Sequence, residues 1–391
     1  MKMNSFMKKF AAVSMAVVMT VAFAGCGGGE DAGSADGTAK FVIGGIGPTT
    51  GDAAVYGQGV KNAAEMAAEE INAAGGINGY QVEFKWQDDV HDAEKSVNAY
   101  NALKDDGMQM LMGTVTSGPC TAVVALSSQD NMFQLTPSGS AVESIDGPNA
   151  FRVCFSDPNQ GVGVADYFAE NFADAKVGVV YNSSDVYSNG IFNTFKKEAA
   201  AKNVNVVATE AFTKDSAQDF TVQIQKMKES GADLVFLPFY AQEASLFLTQ
   251  ADKAGLDVQF FGCDGLDGVI QQLGDNAELA EGVMLLTPFA ADSEDEYSKA
   301  FTEAYKAKYN NEVPTQFAAD AYDAMYIIKM AAEKAGLTPD MSVSDICEAM
   351  KAAMTEIEFT GATGTMTWEA DGEPNKSPMA VVIKDGVYTA M

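Results

Sequence analysis

The chain is poor in positive charge and nearly without histidine and arginine. Among its 391 residues, 54 are aspartate or glutamate and 25 are lysine or arginine, with Arg152 the only arginine and His91 the only histidine. Binding to nucleic-acid phosphates needs clustered positive charge, and no basic run follows the first ten residues. One histidine cannot build a zinc site of several histidines, and it permits a Ser-His-Asp triad only if His91 is the base. We therefore expect no nucleic-acid partner, no metal and no cofactor.

Cysteine is also scarce, and the sequence contains no Cys-x-x-Cys pair. Cys26 lies near the amino terminus, and the other four are widely spaced: Cys120, Cys154, Cys263 and Cys347. This spacing gives no support to a metal or redox centre. In a domain of this size we expect mostly free, buried thiols, although export from the cytoplasm would permit these four to pair.

The first 26 residues differ in composition from everything after them. Lysines at positions 2, 8 and 9 precede an uncharged run over residues 10–25. This run is short for a membrane span, which needs about 20 apolar residues, and it suits the apolar region of an export signal. Residues 26–39 are rich in glycine, alanine, serine and aspartate, a composition typical of a flexible tether.

The end of the uncharged run, Ala24-Gly25-Cys26, resembles a bacterial lipoprotein signal, with Phe23 where that pattern usually has leucine. The resemblance implies that residues 1–25 are a signal peptide cleaved before Cys26. It also implies that two acyl chains on the mature amino terminus hold an extracytoplasmic domain at the membrane, an arrangement more stable than a single chain gives. The alternative is an ordinary export signal with an incidental cysteine.

Beyond residue 40, short apolar runs alternate with amphipathic stretches. Residues 41–46 predict a strand, and apolar residues then recur at helical spacing over residues 60–71. The series of strands and helices continues to Leu135, passes through an irregular stretch, and begins again near Pro158. Because single cores stop growing at about 250–300 residues, the series predicts an α/β fold of two lobes. Each lobe is expected to be a doubly wound, Rossmann-like parallel sheet.

Polar side chains cluster directly after the predicted strands. In open α/β sheets, ligands bind outside the carboxyl ends of the strands, so these residues are candidates for a site. In chain order they are residues 48–51 with Tyr56, residues 116–117, residues 136–140, residues 183–187, Tyr240 and Asp264. The set offers hydroxyls, backbone amides, aromatic rings and one acid, without a strong base or nucleophile. It favours binding of a small polar ligand over catalysis, so we expect no enzyme.

The candidate residues divide by charge. Ser117 and the loop at residues 138–140 offer hydroxyl and N–H groups near helix amino termini, which favour an anion such as a carboxylate. Asp264 lies in the other predicted lobe and offers a negative charge. A crevice with anion-binding amides on one wall and a carboxylate on the other matches a zwitterion, and free α-amino acids are the obvious ligands.

Several stretches of the chain resemble the leucine/isoleucine/valine-type substrate-binding proteins of ABC transporters. They are Ile46-Gly47-Pro48-Thr49-Thr50-Gly51 through Tyr56-Gly57, Ile71-Asn72-Ala73-Ala74-Gly75-Gly76-Ile77-Asn78-Gly79, the loop 113–117, Leu135-Thr136-Pro137 with residues 138–140, and residues 361–364 with Trp368. The likeness runs from about Lys40 to the C-terminus, and residues 72–79 are its most distinctive part.

The resemblance implies a type I periplasmic-binding-protein fold, in which two lobes joined by three hinge crossings close over an amino acid. Lobe 1 is then residues 40–156 and 288–362, and lobe 2 is residues 157–287 and 363–391. The implied crossings lie near residues 156–157, 287–288 and 361–364. The implied function is capture of a branched-chain or related hydrophobic amino acid, by a monomer that delivers it to the permease of an ABC importer.

The same resemblance implies a role for each candidate residue. Ser117 matches the hydroxyl that holds the ligand carboxylate, and Ser138 and Ser140 match the loop that contacts carboxylate and ammonium. Asp264 matches an acid that pairs with the ammonium. The aromatic matches are Tyr187 on the second lobe and, in the side-chain pocket, Tyr56 and Tyr240, with Phe317 beside them. Two positions that carry a disulfide in many members hold His91 and Thr116 here, so that bridge is absent.

Each assignment has an alternative. Serines at these positions also cap helices, and buried tyrosines also serve as packing residues. The Gly262-Cys263-Asp264-Gly265 segment has a composition that is also typical of a turn. We interpret His91, in Asp88-Asp89-Val90-His91-Asp92, as a solvated loop residue without a catalytic role.

Three other functions are alternatives to amino-acid transport. A dinucleotide-binding turn is disfavoured because Gly45-x-Gly47-x-x-x-Gly51 departs from the G-x-G-x-x-G spacing. A ligand-sensing receptor ectodomain shares the fold and the cleft. A binding protein for a small amide such as urea shares the anchor loops, so the sequence leaves the ligand side chain open.

Overall fold

A computed structural model describes residues 39–391. The predicted signal peptide, Cys26 and almost all of the predicted tether lie outside the described residues. Within residues 39–391, no helix combines the length and the apolar character that crossing a membrane requires. Cys120, Cys154, Cys263 and Cys347 are buried and unpaired, as expected.

The order of strands and helices follows the alternation predicted from the sequence. The strands are β1 (Lys40–Gly47), β2 (Gln81–Asp88), β3 (Met110–Gly113), β4 (Phe133–Thr136), β5 (Ala150–Arg152), β6 (Val177–Asn182), β7 (Val206–Phe212), β8 (Leu234–Leu237), β9 (Gln259–Gly262), β10 (Met284–Thr287), β11 (Phe359–Gly361), β12 (Gly364–Met366), β13 (Met379–Lys384) and β14 (Val387–Ala390). The helices are α1 (Ala54–Ala73), α2 (Ala93–Asp105), α3 (Ser117–Gln129), α4 (Asp157–Asn171), α5 (Val186–Ala201), α6 (Thr221–Ser230), α7 (Ala241–Ala254), α8 (Val269–Leu273), α9 (Glu296–Lys308), α10 (Gln316–Lys334) and α11 (Val343–Met354).

The first lobe is built on a five-stranded sheet in the order β2-β1-β3-β4-β5, and all of its pairs are parallel. Strands β3 and β4 are buried along their whole length, and β3 is accordingly an apolar run, whereas β4 also buries the polar side chains of Gln134 and Thr136. Helices α1 and α10 pack together on this lobe. Small residues allow their close approach, since Gly59 of α1 lies against Ala318 of α10.

The second lobe is built on a seven-stranded sheet in the order β14-β13-β10-β9-β8-β6-β7. The pairs from β6 to β10 are parallel, whereas β13 runs antiparallel to both β10 and β14. The sheet is therefore mixed, not wholly parallel as predicted. For β13 and β14 the antiparallel pairing has a local reason, because a turn as short as Asp385-Gly386 can join only antiparallel strands.

Three connections join the lobes, and the third lies later in the chain than the sequence indicated. Residues 361–364 form the turn between β11 and β12. The following segment stays on the first lobe, where the Trp368 indole donates to the carbonyl of Arg152 over 2.7 Å. The chain enters the second sheet only at Met379. The short β11–β12 hairpin looked like a crossing because its glycines are also typical of hinges.

Candidate functional site

A cavity lies between the lobes at the carboxyl ends of the strands. Its lining residues are Tyr56, Val115, Thr116, Ser138, Ser140, Tyr187, Tyr240, Asp264, Gly265 and Phe317. Of the residues to which the resemblance gave a ligand-binding role, all except Ser117 are in this set, whereas residues 48–51 and 183–186 are not. The cavity is where the topology of open α/β sheets places a ligand.

The lining residues come from strand ends and from the first turns of helices. Ser138 and Ser140 follow β4, Asp264 follows β9, and Tyr240 lies between β8 and α7. Tyr56, Tyr187 and Phe317 lie in the first turns of α1, α5 and α10. Because parallel strands end at the same edge of a sheet, residues far apart in sequence meet here.

The loop that contains Ser138 and Ser140 is held by its own polar groups. The Ser138 hydroxyl donates to the carbonyl of Val115 over 2.7 Å, and the Gly139 N–H donates to the Thr136 hydroxyl over 2.8 Å. Within residues 39–391, the N–H of Ser140 has no hydrogen-bond acceptor. That N–H belongs to a residue that lines the cavity, so it is available to a ligand anion.

Ser117 is buried next to the cavity rather than in its lining. Its hydroxyl oxygen accepts the N–H of Ala141 over 3.1 Å. The residue preceding it, Thr116, lines the cavity instead. The amino terminus of α3 has no side-chain capping bond, so capping does not explain Ser117. In this structure the Ser117 hydroxyl fixes the loop that carries Ser140.

Asp264 forms the acidic wall of the cavity. The Tyr187 hydroxyl donates to its carboxylate over 2.6 Å and accepts the N–H of Gly265 over 2.8 Å. Asp264 is 3% exposed, and this burial raises the pKa of its carboxyl to about 7 although the Tyr187 bond opposes the shift. A buried acid with one hydrogen-bond donor is suited to receive a cation.

Four aromatic rings enclose the cavity. The rings of Tyr187 and Tyr240 stack with their centroids 4.7 Å apart, and Tyr56 meets Phe317 edge to face at 4.8 Å. These rings give the cavity a mostly apolar surface beside the polar groups of Asp264 and Ser140. An apolar ligand side chain would be in contact with them.

The two lobes are in contact across the cavity. Tyr56 of the first lobe donates its hydroxyl proton to the carbonyl of Gly265 over 2.6 Å and accepts the N–H of Ala241 over 2.7 Å. Gln316, also of the first lobe, donates through its side chain to the carbonyl of Asp264 over 3.0 Å. The structure is therefore a closed form.

One acid near the cavity was missed from the sequence. Asp157, at the start of α4, is 1% exposed, and its N–H donates to the carbonyl of Ser140 over 2.9 Å. Its two carboxylate oxygens have no hydrogen-bond partner among residues 39–391. Burial raises the pKa of Asp157 well above its usual range. The sequence analysis placed Asp157 only in a predicted hinge crossing, with no role in the site.

The interpretation of His91 as a solvated residue was wrong. Its ring is half-buried, with Nδ1 2.9 Å from the Thr116 hydroxyl and the ring edge-to-face with Tyr240 at 5.4 Å. Burial lowers the pKa of His91 to about 4, so the ring is neutral at pH 7. His91 and Thr116, at the two positions where the sequence analysis found no disulfide, are thus joined by a hydrogen bond.

Comparison with known proteins agrees with this architecture. The sequence model of a family described as periplasmic binding protein matches residues 40–386. The chain is 31% identical over 364 residues to Leu/Ile/Val-binding protein homolog 3 of Brucella melitensis, covering 92% of this chain and 95% of the relative. It is also 31% identical over 329 residues to the leucine-, isoleucine-, valine-, threonine-, and alanine-binding protein of Pseudomonas aeruginosa, covering 84% and 85%.

Solved structures show the same fold. The branched-chain amino acid transporter substrate-binding protein LivJ of Streptococcus pneumoniae, in complex with isoleucine, is 28% identical with a TM-score of 0.81 over 90% of this chain and 98% of that one. A Rhodopseudomonas palustris solute-binding protein in complex with benzoate is 21% identical with a TM-score of 0.80, over 90% and 95%, and shows the fold alone. The chain therefore belongs to the periplasmic binding protein family, and like its relatives it is a binding protein, not an enzyme.

Proposed function

We propose that the protein captures a free branched-chain or related hydrophobic amino acid between its lobes and delivers it to the permease of an ABC importer. The observation that carries this proposal is the division of one closed cavity by charge. Ser140, whose N–H has no hydrogen-bond acceptor among residues 39–391, lines the cavity from the first lobe, and Asp264 lines it from the second. This arrangement is complementary to an α-amino acid, whose carboxylate and ammonium are separated by one carbon.

Ser138, Ser140 and Ser117 belong to the carboxylate end of this proposed site. Ser140 would donate its N–H to the ligand directly, while the Ser117 hydroxyl can donate its proton in addition to accepting from Ala141. Asp264 and the Tyr187 hydroxyl form the ammonium end. An ammonium in a closed cleft needs such a partner, because an unpaired buried charge costs several kcal/mol.

The aromatic wall supports a hydrophobic side chain. Tyr56, Tyr240 and Phe317 meet at one end of the cavity. Burial of an aliphatic side chain there contributes on the order of 2 kcal/mol. Relatives whose names include leucine, isoleucine and valine binding support the same ligand class. The sequence offered two alternatives, a receptor ectodomain and a binding protein for a small amide such as urea. Among residues 39–391, no feature favours either of them over amino-acid transport.

The remaining parts of the proposal concern location and assembly. The protein is extracytoplasmic, held at the membrane through lipid on Cys26, and acts as a monomer with the permease as its partner. The first lobe, made of residues 40–156 and most of the chain after residue 288, closes against the second lobe. The second lobe is made of residues 157–287 and the last two strands.

A thermal-shift panel of the twenty amino acids on the purified protein tests the ligand class. Leucine, isoleucine and valine are expected to raise the melting temperature, because a ligand at 100 times its Kd adds about 2.7 kcal/mol of stability. N-acetyl-leucine and leucinamide, each lacking one charge, are expected to give no shift. A shift from urea or benzoate with none from any amino acid would reject the proposal.

A further inference from the structure

The only arginine of the chain lies directly behind the ligand-binding loop. Arg152 ends β5 and is 1% exposed, among the largest of the fully buried side chains. Its Nη1 is 3.0 Å from the carbonyl oxygen of Gly139, 2.6 Å from that of Ser140 and 3.1 Å from that of Ala141. One guanidinium nitrogen therefore holds three successive carbonyl groups.

These contacts fix the direction of the loop's N–H groups. A trans peptide is planar, so its N–H points away from its own carbonyl oxygen. With the carbonyl of Gly139 turned toward Arg152, the N–H of Ser140 is turned away from it. The next N–H, of Ala141, donates to the Ser117 hydroxyl. The unpaired Ser140 N–H is thus oriented by a residue that does not itself line the cavity.

Arg152 also contacts the segment that leads into the third interlobe connection. Its Nε forms an ion pair with Glu373, 2.9 Å from a carboxylate oxygen but without hydrogen-bond geometry, and its backbone N–H donates to the carbonyl of Gly372 over 3.1 Å. The approach is close, because a Cβ at position 372, where φ is +83°, would lie 2.2 Å from the carbonyl oxygen of Ala150. Glycine is therefore required at position 372, both because a Cβ would collide with Ala150 and because φ is positive.

The same segment is anchored again just before it leaves the first lobe. Lys376 is buried, and its ammonium lies 2.7 Å from the Asp320 carboxylate and 3.1 Å from the carbonyl of Val153. The third connection follows Lys376 at once and enters the second sheet at Met379. Residues 368–376 are therefore a strap held by two cationic contacts next to β5, and we use that name for them below.

We propose that Arg152 is a positioning residue that couples the ligand-binding loop to the third interlobe connection through Glu373 and the strap. The coupling rests on the proposed function, since the loop is taken to hold the ligand carboxylate. A ligand carboxylate that binds the Ser140 N–H shifts the peptide it belongs to, and with it the carbonyl groups that contact Arg152. The Arg152–Glu373 pair conveys that shift to the strap. In the reverse direction, the strap holds the loop ready for the ligand.

The test compares three single variants and the double variant Arg152→Lys/Glu373→Gln with the wild type. Glu373→Gln removes the charge at the strap while leaving Arg152 and its three carbonyl contacts. Arg152→Lys keeps the charge but loses the planar fork that reaches Glu373 and the loop together. Glu369→Gln is the matched control, because Glu369 is an exposed acid of the same strap without a side-chain partner among the described residues. Hydrogen exchange of the loop amides, without ligand, and leucine titration calorimetry are the two measurements.

Glu373→Gln is expected to speed amide exchange at residues 138–142 and to weaken leucine binding by about tenfold, with Glu369→Gln unchanged in both. Arg152→Lys should have a larger effect, and the double variant should be no worse than Arg152→Lys alone, because both changes break one path. Exchange and affinity as in the wild type for Glu373→Gln would overturn the coupling. If the wild type binds no amino acid, the proposed function fails, and the exchange measurement still decides the coupling. If Arg152→Lys does not fold, the comparison of Glu373→Gln with Glu369→Gln is sufficient.

Discussion

The hydroxyl of Tyr56 on the first lobe donates to the carbonyl of Gly265 on the second lobe over 2.6 Å. The same oxygen accepts the N–H of Ala241, which begins α7, over 2.7 Å. Both partners belong to the lobe opposite Tyr56, so one phenol oxygen makes two bonds that exist only while the cleft is closed. Tyr56 is buried in the wall of the cavity, and its ring also contacts Phe317. The residue therefore links ligand contact to lobe closure.

Tyr56→Phe is expected to shorten the lifetime of the closed complex. The substitution keeps the ring and removes the two interlobe hydrogen bonds, each of which contributes about 0.5–1.5 kcal/mol. Leucine should therefore dissociate about 5 to 100 times faster, with little change in association rate. Stopped-flow fluorescence measures both rates. Tyr181→Phe, in β6 and away from the cavity, is the control, and equal dissociation rates in the two variants would contradict the role of Tyr56.

Asp264 is expected to contribute more to binding than Ser117. Loss of one partner of a buried charge pair costs about 2–5 kcal/mol, whereas a neutral hydroxyl contributes about 0.5–1.5 kcal/mol. Asp264→Asn keeps the size of the side chain and the capacity to accept from Tyr187, so its effect reports the charge. Calorimetry with leucine should give a larger loss for Asp264→Asn than for Ser117→Ala. If N-acetyl-leucine binds the wild type within tenfold of leucine, the ammonium is not recognised and this role for Asp264 is wrong.

Binding is expected to weaken as the pH falls below about 7. Burial raises the pKa of Asp264 to about 7, so the free cleft takes up a proton below that pH, whereas pairing with an ammonium needs the ionised carboxylate. Ligand binding must then expel the proton, and the affinity should fall by up to about tenfold for each pH unit below 7. Above pH 7 it should be level. Calorimetry between pH 5 and 8 measures this, and Asp264→Asn, which has no such proton, should show a flatter profile.

Much of the fold was predictable because buried parallel strands and amphipathic helices have different periods. The strands β3 and β4 were found nearly residue for residue. That the candidate residues lie together was predictable too, since strand ends can be located without knowing the packing: Ser138, Ser140, Tyr240 and Asp264 all follow a strand and line one cavity.

What the sequence could not show are features set by distant packing. Asp157 was predicted only as part of a hinge crossing until the structure placed it beside Ser140, and His91 was a loop residue until the structure placed it against Tyr240. The third connection is the clearest case. The glycines of residues 361–364 resemble a hinge, and the contacts of the strap with Arg152 and Asp320 show that the chain after them still belongs to the first lobe.

Cys26→Ala is expected to remove the membrane anchor. Residue 26 lies outside the described residues, so this prediction depends on the Ala24-Gly25-Cys26 pattern alone. In cells fed labelled palmitate, the wild type should carry label and fractionate with membranes. The variant should remain an uncleaved or mislocalised precursor without label. Equal label in both forms would show that Cys26 is not the acceptor.

Ligand is expected to make the protein more compact in solution. The site is assembled from two lobes, so its contacts are complete only when the lobes approach, and the interlobe bonds of Tyr56 and Gln316 show the form in which they do. Without ligand, these bonds and the ring contacts of Tyr240 with Tyr56 and His91 oppose the separation of the lobes. The ammonium of a ligand on Asp264 and its carboxylate on the Ser140 N–H add contacts to both lobes at once, which shifts the population to the closed form. Small-angle scattering should show a smaller radius of gyration with saturating leucine than without it, and the change should be lost in Asp264→Asn at the same leucine concentration. Identical curves for the free and the saturated wild type would mean that the free protein is already closed, and that binding does not need the hinge.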